Sequence, residues 1–290
     1  MKRPSWPQAL MVLPTQGLLV LVIGLPSLWV FWLSLQQTAF GEAPVYVGWR
    51  NYAFVLTDPY FWRAFLNTFL VVNIVVYLEL ALALGMAVLF AAGVPLRRLM
   101  IAIVLAPYAV SEVIAVIVWK YMLEPDVGIV SQALAVVGIP ELSWTTDRWA
   151  ALTLVALLSV WLHLPFSFLI LYSARLGVPN ELYESASIDG AQPWQQFFKV
   201  TVPMLMPAIL IALMFRYVFA FRIFGEVWLL TGGGPARMTE VLATYLYRHA
   251  FRYQEFGVAS AIGWLMALAS VLLASVYLYQ MYRRMLSDDA

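Results

Sequence analysis

Four ionisable side chains, Glu79, Glu112, His163 and Arg216, stand inside long apolar stretches, and Arg222 and Glu226 follow on the stretch that holds Arg216. An ionisable group at membrane depth costs several kcal/mol unless it is paired or wetted. These residues therefore either line a polar pathway and hydrogen-bond a solute there, or tie helices together in the protein interior. A helix rises about 1.5 Å per residue, which sets Glu79, Glu112 and Arg216 at similar heights, about 20 Å from one membrane face. His163 falls somewhat lower, and as a lone histidine on an apolar helix it reads as a packing residue rather than a pathway group. Arg222 and Glu226 are four residues apart, placed to satisfy each other on one helix.

Covalent chemistry is largely excluded. The chain has no Cys, which removes disulfides, thiolate metal sites and cysteine nucleophiles together. Its two histidines, His163 and His249, are too far apart for the helical zinc-protease motif, and no metal site is expected. An intramembrane enzyme would have only Glu79 and Glu112 as an acidic pair, with nothing visible to activate them. None of the three lysines, Lys2, Lys120 and Lys199, follows a glycine, so the phosphate-cradling loop of an ATPase is missing. If ATP drives this protein, another chain hydrolyses it. The formal net charge of +1 leaves no footprint for nucleic acid.

Elements that could position these residues follow from hydropathy. Of the 290 residues, 63% are hydrophobic and 11% charged, about half the charge share of a soluble domain. Such a chain cannot cover itself with a charged surface, so it reads as an all-α polytopic membrane protein with one transmembrane domain over 1–290. About 20 apolar residues cross the hydrocarbon core. Six stretches qualify, at about 13–35, 65–92, 99–122, 149–173, 203–230 and 256–282. Lys2, Arg3, Arg97, Arg98, Arg175, Lys199, Arg283 and Arg284 fall on one side, against seven basic residues on the other. The paired arginines at tight helix ends put that side, and both termini, in the cytoplasm. Loops at about 36–62, 123–148 and 231–255 then lie outside. The run Gly232–Gly233–Gly234–Pro235 has no strand before it and no lysine after it, and reads as a flexible external turn rather than a phosphate loop.

The cytoplasmic segment from Arg175 to Val202 is far longer than a tight turn requires. Asn180 suits an N-cap, Glu181 and Glu184 suit a first turn, and Gly190 suits a left-handed stop. Pro193 then opens a helix bearing Trp194, Phe197 and Phe198, expected to stop before Pro203. Interfacial helices that lie on lipid are rich in Lys and Arg, and this segment has no base between Arg175 and Lys199, so protein docking is the better reading.

Glu184–Ser185–Ala186, Asp189–Gly190–Ala191, Phe198, Val200, Pro203 and Pro207 resemble the cytoplasmic loop motif of ABC importer permeases. One departure is Ser185, where the family motif has a second alanine. Gly48–Trp49–Arg50–Asn51–Tyr52, Asp58–Pro59–Tyr60–Phe61–Trp62, Asn67–Thr68, Trp119–Lys120, Pro125–Asp126–Val127–Gly128 and Leu230–Thr231–Gly232–Gly233–Gly234–Pro235 are similar to its carbohydrate branch, of the maltose-transporter first-permease type. The resemblance covers residues of about 45 to 265.

It implies the type I ABC importer permease fold with a coupling helix, in a bacterial or archaeal cytoplasmic membrane. It implies a heterodimer with a second permease, two ATPase subunits that hold ATP and Mg, and an extracytoplasmic sugar-binding protein. Glu184, Ser185, Ala186, Asp189, Gly190 and Ala191 would dock the ATPase. Glu79, Glu112, Arg216, Arg222 and Phe219 are the candidates for the sugar pathway, where aromatic faces stack on sugar rings. Arg216 and Arg222 would favour an anionic sugar. The alternative, a secondary transporter without an ATPase, predicts inverted repeats and unwound midspan helices. No repeat is evident, and such a carrier has no need of the 175–202 loop.

Overall fold

The computed structural model describes residues 6–38, 41, 43–138 and 143–288. Lys2, Arg3 and Pro140 lie outside the described residues, as do the side chains of Arg283 and Arg284, so the topology argument loses half of its paired signals.

The described chain is helical apart from one two-stranded ribbon. In order it comprises α1 (Met11–Ser34), β1 (Gln36–Gln37), β2 (Val45–Tyr46), α2 (Arg50–Thr57) and α3 (Pro59–Ala91). Then follow α4 (Arg97–Leu105), α5 (Glu112–Met122), α6 (Ile129–Val136) and α7 (Arg148–Leu176). The remainder is α8 (Glu181–Ile188), α9 (Pro193–Ala220), α10 (Gly225–Leu230), α11 (Leu242–Tyr247) and α12 (Phe256–Asp288).

Among the described residues five helices are long and apolar enough to cross a membrane: α1, α3, α7, α9 and the Phe256–Val276 part of α12. The sixth expected span is discontinuous. Its halves, Arg97–Ala109 and Glu112–Met122, meet at 101°. Pro107 supplies no N–H, and Val110 and Ser111 are extended, so the ladder of α4 ends in a short 3-10 turn and α5 starts afresh.

Two further expectations need correction. The stretch at 203–230 is not one helix, because α9 ends at Ala220 and α10 begins at Gly225. Nor does a helix stop before Pro203: α9 runs through it. A π turn at Phe197–Thr201 just upstream widens the helix, and this accommodates the missing N–H and the ring of Pro203 without a break.

The chain forms two compact units, residues 1–62 with 245–267 and residues 63–244 with 268–290. In the first, Asn51 donates to the Ser34 and Gln36 carbonyls at 2.8 Å each, closing the ribbon onto α2. Buried His249 is ringed by Phe54, Tyr245 and Tyr253 and meets the Glu255 carboxylate at 2.8 Å.

In the second unit α7 is the central post. Asp147 caps it by accepting from the Ala150 N–H at 2.7 Å, and its apolar face buries Val155, Leu158 and Phe168. α5 and α10 pack on each other and on α7. The loop after α10 is not the loose turn its glycines suggest. Thr239 is buried and donates to the Gly234 carbonyl at 2.6 Å, and Asn67 donates to the Met238 and Glu240 carbonyls at 2.8 Å each. Arg148 in turn holds the Asn67 carbonyl at 2.8 Å. Asn67 of α3 and Thr239 of the loop itself thus satisfy three loop carbonyls, and this polar loop at a helix end is tied down at those points.

Candidate functional site: a polar cavity and an exposed short helix

The two helix breaks of the second unit open a cavity of about 730 Å³. Its polar lining comes from Tyr108 and Glu112 at the first break, His163 on α7, Arg216 near the end of α9, and Arg222 and Glu226 flanking the second break. Phe166, Phe219, Phe224 and Trp228 supply aromatic walls, the last two stacked at 5.9 Å.

Arg216 and Glu79 form the best-built contact. Arg216 donates from Nε to Glu79 Oε2 at 2.8 Å, and its Nη2 lies 2.7 Å from the same oxygen. Ser167 donates to the other carboxylate oxygen at 2.5 Å. Glu79 is fully buried and does not line the cavity; it stands behind Arg216 and neutralises it. The similar heights expected for these two residues agree with their direct contact.

Glu226 does not pair with Arg222. The break between α9 and α10 takes the two off a common helix, and the four-residue spacing loses its meaning. Glu226 accepts from Ser159 at 3.0 Å, meets His163 Nε2 at 3.4 Å and faces the Glu112 carboxyl. Arg222 instead lies over the Phe219 ring at 5.6 Å. His163 is one-third exposed and belongs to the cavity wall, not to the packed core.

Glu112, Arg216, Phe219 and Arg222 therefore share one cavity, with Glu79 directly behind it. Sequence reasoning missed Tyr108, Phe166 and Trp228 as lining groups. Pro107 next to Tyr108 was the one visible signal.

Gly225 permits the geometry at the second break. A Cβ there would stand 2.1 Å from Glu112 Oε1, so the carboxylate would have to swing away into the cavity. Gly225→Ala is expected to destabilise the protein by about 1 kcal/mol, the low end of overpacking, because the Glu112 carboxylate can move aside. Thermal unfolding of the solubilised protein checks this, and Gly225→Ala with Glu112→Ala should recover most of the loss. Unchanged melting in the single variant would show that Glu112 does not need this space.

At the end of the unit that carries the 175–202 segment, α8 projects with Glu184, Ser185, Asp189 and Gly190 exposed and Ala186 and Ala191 half-buried. Gly190 has φ +78°, and the Ala191 and Gly190 amides donate to the Ala186 and Ser187 carbonyls at 2.9 and 3.0 Å. That pair of bonds is the Schellman stop. Asn180 occupies the N-cap position, but its backbone is helical and its side chain makes no capping bond. The capping box lies instead at Gln192 and Gln195, on either side of Pro193. Ile188 is 86% exposed, and Trp194 and Phe198 are exposed beside it.

A family model described as the binding-protein-dependent transport system inner membrane component matches residues 78–286, which include both the cavity and α8. The chain belongs to this family. It is thus a transmembrane permease subunit of a binding-protein-dependent ABC importer. The permease is 32% identical over 274 residues to the trehalose/maltose transport system permease protein MalF of Thermococcus litoralis, covering 93% of this chain and 91% of the relative. It is 32% identical over 278 residues to the diacetylchitobiose uptake system permease protein DasB of Streptomyces coelicolor, covering 93% and 84%.

A chain of the crystal structure of a bacterial alginate ABC transporter, in complex with an alginate pentasaccharide-bound periplasmic protein, matches with a TM-score of 0.82. Identity there is 23%, with 97% of this chain and 95% of that chain covered, so the likeness speaks for the ABC importer permease fold. Broken spans, which would suit a secondary carrier, occur here in a permease of this family. Among the described residues no group of three or more His, Asp or Glu gathers as a metal site.

Proposed function

We propose that this permease carries a sugar, and that the cavity between the two helix breaks is its half of the translocation pathway. The carrying observation is the composition of that cavity: five aromatic rings, of Tyr108, Phe166, Phe219, Phe224 and Trp228, around ionisable groups that can donate to and accept from hydroxyls. Stacking on a ring face together with a few polar contacts is how a largely apolar pocket holds a polar ring. The trehalose/maltose and diacetylchitobiose permeases among its relatives support the same substrate class. Charge balance favours an uncharged sugar over an anionic one. Arg216 is committed to Glu79, and Glu112 and Glu226 offset Arg222.

The remaining parts of the machine follow from the importer class. A second permease completes the pathway, and an extracytoplasmic binding protein delivers the sugar. Two ATPase subunits hold ATP and Mg and hydrolyse it, so this chain is not itself an enzyme. α8 docks one ATPase through Glu184, Ser185, Ala186, Asp189, Gly190 and Ala191, with both termini on the same, cytoplasmic side. Exposed Ile188, Trp194 and Phe198 support docking, because large apolar groups beside an acidic helix suit a protein groove better than anionic headgroups.

Gentle purification of the tagged chain from its native membrane, followed by mass spectrometry, tests the assembly. Recovery of a second permease and an ATPase is expected. Recovery of the chain alone or as a homodimer, under conditions that preserve such complexes, would count against it. Uptake by the recovered complex, with its binding protein, should then prefer neutral over acidic oligosaccharides.

A further inference from the structure

α8 has eight residues, too few to hold a helix without support, and turns flank it at Gly177–Asn180 and Asp189–Gln192. A push on such an element dissipates in those turns unless something ties it sideways. One side chain reaches both neighbouring helices. The half-buried ring of Tyr183 lies under the Arg175 guanidinium, 4.2 Å from its centre, and Arg175 is in the last turn of α7. Its hydroxyl shares a hydrogen bond of 3.0 Å with Thr201 Oγ1, which is buried in the π turn of α9. The buried Arg175 Nε has no hydrogen-bond partner among the described residues, so the ring face is a principal contact of that cation. Gln196 adds a second tie from α9, donating to Ser187 Oγ at 2.9 Å and to the Ala191 carbonyl at 3.0 Å.

We propose that Tyr183 is a positioning residue for energy coupling, joining α8 to the end of α7 and to the π turn of α9 so that a displacement of α8 reaches the cavity. The attachment point matters. A π turn is a local widening where a helix bends readily, and Thr201 is its last residue. Beyond it α9 runs unbroken to Ala220 and carries Arg216 and Phe219, the first of them about 22 Å from Thr201 along the helix. Gln196 ties α8 ahead of that bend, and Tyr183 ties it at the bend itself.

The proposal rests on α8 being the ATPase-docking element, and the test separates the two. Tyr183→Ala, Tyr183→Phe and Thr201→Val are made in the complete complex in proteoliposomes, and ATP hydrolysed per sugar translocated is measured beside the amount of ATPase that copurifies. Tyr183→Ala should keep the ATPase bound while the ATP spent per sugar rises severalfold. Tyr183→Phe and Thr201→Val remove the same hydrogen bond and should give the same smaller rise. An unchanged ratio in all three overturns the proposal. So does a loss of transport that merely follows a lower yield of complex at a normal ratio. Should Tyr183→Ala fail to assemble, the other two variants decide. If the docking reading itself is wrong, Glu184→Arg leaves ATPase binding untouched, whatever the Tyr183 variants do.

Discussion

Replacing Arg216 by alanine is expected to destabilise the permease by about 3–5 kcal/mol, because it leaves a fully buried carboxylate without its cation. The loss should appear as a large drop in the melting temperature of the solubilised protein and as loss of uptake. Glu79→Gln should cost less, since a neutral amide in the same place can still meet both Ser167 and the Arg216 guanidinium. The decisive comparison is Glu79→Gln combined with Arg216→Met. Replacing both ions of a buried pair by neutral groups is often nearly neutral, so the double variant should melt close to the wild type. Restored stability without restored uptake would assign Arg216 a role in transport as well as packing. Restored uptake would make the pair a structural tie alone. If Arg216→Ala melts like the wild type, the pair contributes nothing measurable.

The second large effect is expected at Gly190. Its φ of +78° is open to glycine, tolerable for asparagine and strained for a β-branched residue. A Cβ there meets no atom within 4 Å, so crowding plays no part and the penalty is one of backbone conformation. Gly190→Val should therefore cost about 1–2 kcal/mol locally, unwind the stop of α8 and displace Asp189 and Ala191. A penalty of that size corresponds to about tenfold weaker docking of the ATPase. Gly190→Asn is the control, expected to retain most transport. The check is ATPase copurification and sugar uptake for both variants, with membrane insertion followed by immunoblot. Valine transporting as well as glycine would remove the turn from the docking surface.

How far the fold was legible depends on what hydropathy reports. Apolar runs announce that a segment is in the membrane, and all six were readable. They do not announce whether the helix stays whole. Residues 99–122 are apolar but for a few positions such as Ser111, Glu112 and Lys120, yet Pro107 removes one donor and the chain turns at Val110 and Ser111. At Phe221–Phe224 there is no proline to read, and Gly225 shows its purpose only once Glu112 is found against it. Pro203 misled in the opposite direction, because a π turn is invisible in sequence. Helical rise set Glu79 and Arg216 at one height but did not say that they touch, since Glu112 was set at that height too and lines the cavity instead. Arg222 with Glu226 failed because that arithmetic assumes an unbroken helix. In the 175–202 segment the stop at Gly190 and the start at Pro193 were legible because local backbone chemistry sets them, whereas the Asn180 cap was not formed.

The broken third span also bears on how the protein is made. Arg97–Ala109 rises about 20 Å and Glu112–Met122 about 16 Å, whereas the hydrocarbon core is about 30 Å thick. Neither half crosses by itself, and the turn between them leaves backbone groups that lipid cannot satisfy. α5 finds its packing partners in α7 and α10, and α10 is synthesised about a hundred residues later. The third span therefore cannot be finished as it leaves the ribosome. The second half gains its main packing partner only once α10 has been made, so completing this span is a folding step that follows insertion.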